Sequence, residues 1–431
     1  MDSKLTYFLK NFSLVYSSEI EKTNIGYDES CAVQISNSDF ENPFENLANI
    51  IWKDWKGRSI PFLKNSERRE SIIQKKEKGV IIYYDIISAG WYLMSGAQEL
   101  DDSKKDNYGR FTHEESIQNK LKITQIPVVN YYFDILKEAI EIVTSTKVEK
   151  RNKFSATVTH DIDEVLSGWK HRIRTQLEKK RYLKAISFGF SHFIKPFHPW
   201  KNLVELSEFN TKNRVNSTFF ILPRNNKLDE IKNADYSLSD SYVQNSLTKI
   251  NESNHELGIH GSYKTHDSST ELKSDILSLS FPVAGNRFHF LQFDINNTPK
   301  VLNQVGIKYD TTLGFQESIG FRNSICTPFY LYDFEEKKAF DFLEIPLNVM
   351  DCSLEFENYM NLNSEESFEE IKKLIQEVKK FNGNVCINWH NTYFSDYLKS
   401  DWKKLYKKVI KYLESENCSF LTCSKLTDSY R

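Results

Sequence analysis

Val158-Thr159-His160-Asp161-Ile162-Asp163 ends a run, residues 154–159, in which apolar and small polar residues alternate. Such alternation predicts a β-strand, in which residues two apart point to the same side, so Asp161 and Asp163 are expected side by side. Two neighbouring carboxylates disfavour each other's ionisation unless a cation or a shared proton relieves them. One interpretation is a carboxylate that binds a divalent metal beside a second carboxylate that acts as a base. The alternative is an Asx-rich turn that caps a helix beginning near Val165.

From residue 154 onward, short apolar runs alternate with amphipathic helical runs such as those after Ser364 and from Trp402 to Leu413. Strands that alternate with helices indicate βα units and a parallel sheet. Seven or eight units fit a (β/α) barrel, a fold of about 250 residues, and an open doubly wound sheet is the alternative. The predicted strands are 154–159, 215–222, 256–260, 282–287, 307–310, 342–349, 384–389 and 418–422.

Polar side chains that suit a metal site follow the ends of these predicted strands. They are Asp161 and Asp163 after the first strand, His260 after the third, Arg287 and His289 after the fourth, and His390 after the seventh. In a barrel, the carboxyl ends of the strands carry the chemistry, so these side chains are expected in one site. A random scatter of ten histidines would not favour strand ends. Their position therefore favours the metal interpretation of the Asp-x-Asp stretch.

Residues 1–148 form a first region without an evident catalytic constellation. Its most apolar part, 80–87, predicts a strand that leads into a helix, and 127–143 predicts a helix that ends the region. The charged run 147–153 marks a boundary. The chain is therefore expected to consist of a smaller α+β domain of unknown role, 1–148, and a barrel, 149–431.

The composition argues against several classes of protein. The 57 Lys and Arg and the 59 Asp and Glu give a net charge of -2, so the chain has no overall bias toward nucleic acid. The first 18 residues lack the unbroken apolar core of a signal peptide, and no stretch approaches the roughly 18 apolar residues that span a bilayer. A cytoplasmic location is expected, and the six cysteines, which lack CxxC spacing, are expected to be buried thiols.

Lys and Arg do cluster at 170–184, within an amphipathic basic and aromatic stretch that runs from 166 to 200. A solvated helical face is the simplest interpretation of the cluster. The whole stretch is predicted to be helical and to act as a lid or a surface contact.

Taken together, the strand-end motifs resemble those of the polysaccharide deacetylase family, the NodB-homology group of carbohydrate esterases. The resemblance covers about residues 154–425 and rests on Asp161-Ile162-Asp163, Glu256-Leu257-Gly258-Ile259-His260, Arg287 and Asn388-Trp389-His390. One branch of that family has motifs similar to 309–315, 319–322 and 344–347, with an additional N-terminal domain of unknown role. The resemblance therefore implies a distorted, NodB-like (β/α) barrel preceded by such a domain.

The resemblance also implies a role for each matching residue. It makes Asp161 the general base, and it makes Asp163 and His260 metal ligands. Arg287 would hold the base carboxylate, and His390 would protonate the leaving amine. This division is chemically consistent, because a metal held by a carboxylate and imidazoles keeps open positions for a water and for the acyl oxygen. The expected cofactor is a divalent metal, zinc.

The third metal ligand departs from the family pattern. The family usually places a second histidine four residues after the first, where this chain has Lys264. His266 is the nearest candidate, because 261–262 predicts a loop and 268–271 is a capping box that starts the next helix only there. The alternatives for the third position are Asp267, His289 and a water molecule.

Four residues are candidates for substrate binding: His289, Asp310, Arg322 and Trp389. His289 follows a strand end, but Phe288 and Phe290 flank it as core residues would. For Asp310 and Arg322, an ion pair that stabilises a loop is an equally good explanation.

The sequence thus predicts a metal-dependent hydrolase of a non-peptide C–N bond that removes an acyl group, expected to be acetyl, from an N-acylated amino sugar or glycan. Without a signal peptide, the expected substrate is a nucleotide-linked or lipid-linked sugar on the way to a surface polysaccharide. The alternatives are hydrolysis of another C–N bond, such as that of a cyclic amide, a degenerate barrel that binds glycan without turnover, and a scaffold whose first region docks a partner. No nucleic-acid partner is expected, and the oligomeric state does not follow from the sequence.

Overall fold

The computed structural model describes residues 2–17, 23–38, 43–44, 46–64, 70–100, 105–178, 180–194, 198–397 and 399–431. The described part of the first region combines helices with small sheets. Its helices are α1 (Ser3–Val15), α2 (Ile86–Ser95), α3 (Ile117–Lys120) and α4 (Val128–Thr144). Its strands are β1 (Ile25–Gly26), β2 (Val33–Ile35), β3 (Ile50–Trp55), β4 (Arg58–Leu63), β5 (Ile73–Lys75) and β6 (Val80–Ile82).

The first region has the α+β composition that the sequence predicts. One sheet has the strand order β1-β2-β6-β5, and β3 and β4 form an antiparallel hairpin. The helix predicted over 127–143 is confirmed as α4, whose apolar face is buried. The Phe8 ring on α1 meets the Phe133 ring on α4 edge to face at 4.9 Å, which joins the two helices in one core.

The second region alternates strands with helices from Ser155 to the C-terminus. Its strands are β7 (Ser155–Ile162), β8 (Ser217–Ile221), β9 (Lys227–Leu228), β10 (Ile231–Lys232), β11 (Glu256–Gly261), β12 (Gly285–Phe288), β13 (Tyr309–Asp310), β14 (Phe329–Asp333), β15 (Lys338–Glu344), β16 (Leu347–Met350), β17 (Asn384–Asn388) and β18 (Ser419–Phe420). Its helices are α5 (Gly168–Glu178), α6 (Tyr182–Ile194), α7 (Leu203–Lys212), α8 (Ser241–Glu252), α9 (Ser269–Ser278), α10 (Thr298–Val305), α11 (Asp351–Glu355), α12 (Ser364–Lys380), α13 (Ser400–Ser415) and α14 (Cys423–Tyr430).

One large sheet organises the second region, with the strand order β14-β15-β13-β12-β11-β8-β7-β17-β16. Its neighbours pair in parallel, except that β14 lies antiparallel on β15. Every residue of β7 is buried, as expected for a strand that is covered on both faces.

The sheet curls back on itself, but its ladder is not a closed barrel. Strand β15 pairs with β13, whereas β16, which begins three residues after β15 ends, pairs with β17 on the other flank. Pro346 in the intervening link has no N–H to give to a ladder, so the link interrupts the pairing. The predicted class, mixed α/β with parallel βα units, is therefore correct, while the regular barrel is replaced by a curled half-barrel sheet.

The strand register places the polar strand ends of the sheet together. His260 on β11 is the register partner of Arg287 on β12, and Asn388 on β17 is the partner of Thr159 on β7. Because all four strands run in parallel, the residues that follow them emerge at one edge. In the described ranges, no helix is long and apolar enough to cross a membrane.

The two regions share a buried contact. The Arg322 guanidinium donates from Nε to Glu99 Oε1 at 2.9 Å and from Nη2 to Glu99 Oε2 at 2.6 Å, and both side chains are buried. Gln118 Nε2 donates to the Arg322 carbonyl oxygen at 2.7 Å. The first region is thus fastened to the loop that precedes β14.

Candidate active site

Asp163, His260 and His289 bring three ligand atoms to one point at the carboxyl edge of the sheet. His260 Nε2 lies 3.3 Å from Asp163 Oδ1, and His289 Nε2 lies 3.9 Å from the same oxygen. The three ligand atoms lie within 4.8 Å of one another. Asp163 follows β7 directly, His260 is on β11, and His289 begins the turn after β12. A carboxylate with two imidazoles is a donor set that suits zinc.

Hydrogen bonding around the group leaves its ligand atoms unpaired, which fits a cation. His260 Nδ1 lies 2.8 Å from the Arg287 carbonyl oxygen and must donate to it, so Nε2 of the neutral ring directs a lone pair at the Asp163 carboxylate. Asp163 Oδ1 is buried and has no hydrogen-bond partner among the described residues. A lone pair that faces a buried carboxylate oxygen is repulsive unless a metal or a proton lies between them.

The charge states of Asp163 and His289 suit metal binding, while at His260 burial is outweighed by the Asp161 and Asp163 carboxylates, which raise the pKa of the ring. Burial lowers the pKa of His289 to about 4, so its ring is neutral at physiological pH and keeps a lone pair. Burial opposes ionisation of Asp163, but the three histidines His289, His260 and His390 outweigh it and hold the pKa of that carboxyl well below its usual range. Asp163 is therefore an anion at neutral pH.

His266, the predicted third ligand, is not in this group. Ser262 to Thr265 forms a turn, in which Lys264 has a positive φ of 64° and pairs with Asp229. The His266 ring beyond that turn packs near the Phe288 ring, with the centroids 6.3 Å apart. The predicted loop and the Ser268 cap of α9 are both present, but it is His289, one of the open alternatives, that lies beside Asp163.

Asp161 lies beside the group in a fixed orientation. Arg287 Nη1 donates to its Oδ1 at 3.0 Å, and Asn388 Nδ2 donates to its Oδ2 at 2.8 Å. Burial disfavours the Asp161 anion, but the Arg287 guanidinium, with His260, keeps the pKa of the carboxyl below its usual range. Asp161 is therefore ionised, and both of its oxygens are held toward the cavity edge.

His390, two residues after the end of β17, faces the same group and is held by Asp351, a residue that the sequence analysis does not single out. Its Nδ1 lies 2.7 Å from Asp351 Oδ1, its backbone N–H donates to Asp351 Oδ2 at 2.7 Å, and its Nε2 lies 3.7 Å from Asp163 Oδ2. Burial would lower the pKa of His390, but the Asp351 carboxylate, with Asp163 and Asp161, raises it to about 10. His390 is thus a cation at neutral pH. Asp351 follows the end of β16, the same signal that identified the other strand-end residues.

A cavity of about 240 Å³ opens onto these side chains. Charged and polar side chains line it together with apolar ones: Phe288, Phe290, Leu291, Met350 and Phe356. The cavity therefore offers both apolar surface and hydrogen-bonding groups.

The first region supports this cavity wall. Arg110 Nη1 donates to the Phe290 carbonyl oxygen and to Gln316 Oε1, both at 3.1 Å, and Phe290 and Gln316 line the cavity. Asp106 holds the Arg110 guanidinium, and the Tyr108 ring stacks on Phe290 with the centroids 5.3 Å apart. The sequence offers no signal for Arg110, because its contacts are far away along the chain.

Three of the candidate substrate-binding residues do not line the cavity. Asp310 is buried in the sheet, where Asn286 Nδ2 donates to it at 2.7 Å, and Glu344 is its register partner. Arg322 makes the buried pair with Glu99, so the ion-pair alternative is correct for this residue. Trp389 is buried, with its ring against Tyr406 at 5.4 Å. Only His289 of these four candidates reaches the cavity.

One protein-family model matches the first region. Residues 4–145 match a family of unknown function, DUF7033. No curated protein sequence matches the chain.

Several solved structures resemble part of the chain at low sequence identity. A protein described as a "probable polysaccharide deacetylase" from Pseudomonas aeruginosa PAO1 is 12% identical, covers 65% of this chain and 91% of its own, and has a TM-score of 0.43. An allantoinase gives the same identity, coverage and TM-score. A CE4 family pseudoenzyme from Bacillus anthracis is 13% identical over 65% of this chain and 67% of its own, with a TM-score of 0.33. At this identity the likeness concerns the fold alone.

Proposed function

We propose that the chain is a metal-dependent hydrolase that removes an N-linked acyl group, namely an acetyl group, from an amino sugar or glycan. The proposal rests on one observation: Asp163, His260 and His289 converge at a point that Asp161 and His390 flank within one cavity. A ligand group, an ionised carboxylate and a cationic imidazole are the parts that hydrolysis of an amide requires.

Asp163, His260 and His289 would hold a divalent ion, with zinc as the preferred metal for this donor set. When bound, the ion would polarise the acyl carbonyl and acidify a water molecule. His260 keeps its Nε2 free for this role because its Nδ1 is engaged by the Arg287 carbonyl. His289, rather than His266, is the third ligand in this proposal.

Asp161 would accept the proton of the attacking water. Its carboxylate is ionised and cannot rotate freely, because Arg287 and Asn388 each hold one of its oxygens. A base fixed in this way loses little entropy when the substrate binds. Arg287 is the residue that positions the base, as the sequence resemblance implies.

His390 would donate a proton to the nitrogen that leaves. Its Nδ1 is engaged by Asp351, so Nε2 is the nitrogen that faces Asp163 and the cavity. A histidine whose charge is stabilised by a buried carboxylate is protonated at the start of the reaction, which is the state that a general acid requires.

The cavity favours a small acyl group. Its volume of about 240 Å³ is below the range of about 300–1,000 Å³ typical of pockets for drug-sized ligands. The acyl group and the adjoining sugar ring would enter the cavity, with the methyl group against its apolar side chains.

Metal content tests the ligand assignment. We expect the protein purified after growth with zinc to hold one ion by elemental analysis, and His260→Ala and His289→Ala to lose it. His266→Ala is the matched control and should retain the ion. Metal loss in His266→Ala with retention in His289→Ala would reverse the choice of third ligand. A wild type that holds no metal after reloading would favour a glycan-binding barrel without turnover.

The two aspartates should separate metal binding from turnover. Asp163→Ala should lose the ion and acetate release together. Asp161→Asn should keep the ion and lose acetate release from N-acetylated sugars by about 10²–10⁴-fold, since a positioned base contributes that much. Equal metal loss in both variants would contradict the division of roles.

A further inference from the structure

The helices α5 (Gly168–Glu178) and α6 (Tyr182–Ile194) form a hairpin, and among the described residues one face of α6 is apolar and exposed. The two helices pack against each other. On α6, Leu183 is 85% exposed, Ile186 is 68% exposed and Phe190 is 70% exposed. These positions are spaced i, i+3 and i+7, so the three side chains share one face of the helix. Single exposed apolar residues are ordinary, but a continuous stripe of large ones marks a contact surface.

The hairpin is also strongly basic, in contrast to the rest of the chain. Residues 168–194 contain seven Lys and Arg and a single acidic residue, Glu178, whereas the whole chain has 57 basic and 59 acidic residues. Glu178 is already paired with Arg174 at 2.9 Å. Among the described residues, Lys180, Arg181 and Lys184 are exposed close to the apolar stripe. The surface therefore combines large apolar side chains with uncompensated positive charge.

The hairpin is fastened next to the candidate active site. It lies between the end of β7, which carries Asp161, and the start of α7. Asn391 Nδ2, one residue after His390, donates to the Glu164 carbonyl at 2.9 Å and to the Trp200 carbonyl at 3.2 Å. Both stems of the hairpin are thus held by one side chain beside the site, so the base of the hairpin lies close to the cavity.

We propose that the hairpin 168–194 lies on an anionic membrane surface, with Leu183, Ile186 and Phe190 in the boundary of head groups and acyl chains. Helices with Lys and Arg beside a stripe of Leu, Ile and Phe bind in this way, and anionic lipids attract the basic side chains. A second copy of the chain is a poorer occupant, because two equally basic hairpins would repel each other. An acidic protein partner is the other occupant that the test must separate.

If the proposed function holds, membrane binding by the hairpin also favours one class of substrate. A cavity that is held beside the membrane would favour an amino sugar linked to a lipid over one linked to a nucleotide. This step rests on the proposed hydrolase, whereas membrane binding by the hairpin does not.

Flotation of the full-length protein with vesicles tests the proposal. We expect binding to vesicles of equal parts phosphatidylglycerol and phosphatidylcholine, weaker binding at high salt, and little binding to phosphatidylcholine alone. The triple variant Leu183→Ser, Ile186→Ser, Phe190→Ser should bind at least about tenfold more weakly, since it removes the inserted side chains. Lys180→Glu, Arg181→Glu, Lys184→Glu should weaken binding on the order of a hundredfold, at about fivefold for each cation.

Leu277→Ser is the matched control, because Leu277 is 74% exposed on α9, outside the hairpin, and its loss should leave flotation unchanged. His260→Ala should float like the wild type, so loss of metal or turnover cannot be mistaken for loss of membrane binding. A wild type that stays with the soluble fraction at low salt, or a triple variant that floats equally well, would overturn the proposal. So would a lipid-free dimer by light scattering that the triple variant abolishes, since a second copy would then cover the stripe.

Discussion

Asp351 controls both the orientation and the charge of His390. It receives a hydrogen bond from the backbone N–H of His390 and lies 2.7 Å from its Nδ1, so one carboxylate holds two groups of the same residue. It is also the strongest of the carboxylates that raise the pKa of His390 against the effect of burial. Asp351 Oδ1 also accepts from the backbone N–H of Cys352 at 2.7 Å, which helps to fix the carboxylate that determines whether His390 can act as an acid.

Asp351→Asn should shift the pH dependence of acetate release. In the proposed reaction His390 acts as a cation. Acetate release is therefore present below the pKa of His390 and is lost as the pH rises through that pKa. The pKa is about 10 with Asp351 in place and should fall when the carboxylate becomes an amide. We expect the alkaline limb of the kcat profile to move to lower pH, with a loss of about 10²–10⁴-fold where His390 has become neutral.

Glu355→Gln provides the control for that shift. Glu355 lies on the same short helix, α11, but its carboxylate accepts from the Tyr393 hydroxyl instead of facing His390. The alkaline limb of the kcat profile of Glu355→Gln should match that of the wild type. An unchanged limb in Asp351→Asn would mean that another group donates the proton.

At the scale of elements, β12 depends on a glycine that allows β13 to approach. Gly285 is the register partner of Tyr309, and a Cβ at position 285 would lie 1.9 Å from the Tyr309 ring. The ring cannot easily move, because it is buried and its hydroxyl donates to Glu256 Oε1 at 2.7 Å. Since β12 also carries Arg287 and leads into His289, its position matters to the candidate site.

Gly285→Ala should therefore reduce the free energy of unfolding by about 1–3 kcal/mol or more, as overpacking does. Urea unfolding followed by fluorescence would measure the change. Gly189→Ala in α6 is the control, because a Cβ added at position 189 would lie 3.5 Å from the nearest atom, which is an ordinary contact. The variant also replaces a glycine within a helix. It should stabilise the helix by about 0.5–1 kcal/mol. Equal stability of Gly285→Ala and the wild type would mean that β13 can shift at little cost.

The elements differ in how far the sequence predicts them. Helices with local signals are present: α9 begins after the predicted Ser268 cap, and α12 forms as predicted, although its N-cap is Asn363 instead of Ser364. Local periodicity and caps suffice for these, because their information lies within a few residues. The interruption at Pro346 was not predicted, since an apolar run on both sides of it reads as one strand.

The turn after β12, which begins with the candidate ligand His289, has a backbone conformation that the sequence does not predict. Phe290 and Leu291 both have positive φ, at 60° and 54°, in a region that residues with side chains rarely occupy. Tertiary contacts accompany this conformation, since Arg110 from the first region binds the Phe290 carbonyl. No local pattern predicts such a turn, so the sequence alone is compatible with either a core role or a site role for His289. The strand-end rule, by contrast, was sufficient to bring Asp161, Asp163, His260 and His390 together.

At the scale of the whole molecule, the two regions depend on a buried ion pair. Glu99 and Arg322 form two hydrogen bonds in an environment that water does not reach, and Arg322 Nη1 also donates to the Gly314 carbonyl at 3.2 Å. The sequence makes Arg322 a candidate for substrate binding, with an ion pair as the alternative, and in the structure the residue joins the first region to the second. Arg110 of the first region also donates hydrogen bonds to Phe290 and Gln316, which line the cavity. The folding of the first region and the shape of the site are therefore linked.

Removing one member of this pair should cost more than removing both. Arg322→Met leaves the Glu99 carboxylate buried without its partner, and breaking a buried pair in this way costs about 3–5 kcal/mol of unfolding free energy. The double variant Glu99→Leu, Arg322→Met removes both charges and should recover most of that loss, because no uncompensated charge remains. Urea unfolding of the full-length wild type, both single variants and the double variant gives the coupling energy. A double variant whose loss equals the sum of the single losses would mean that the pair is not coupled.

With coupling present, a fragment from 149 to 431 would lack Glu99 and carry the Arg322 guanidinium uncompensated. It should therefore unfold at a lower urea concentration than the second region does in the intact chain.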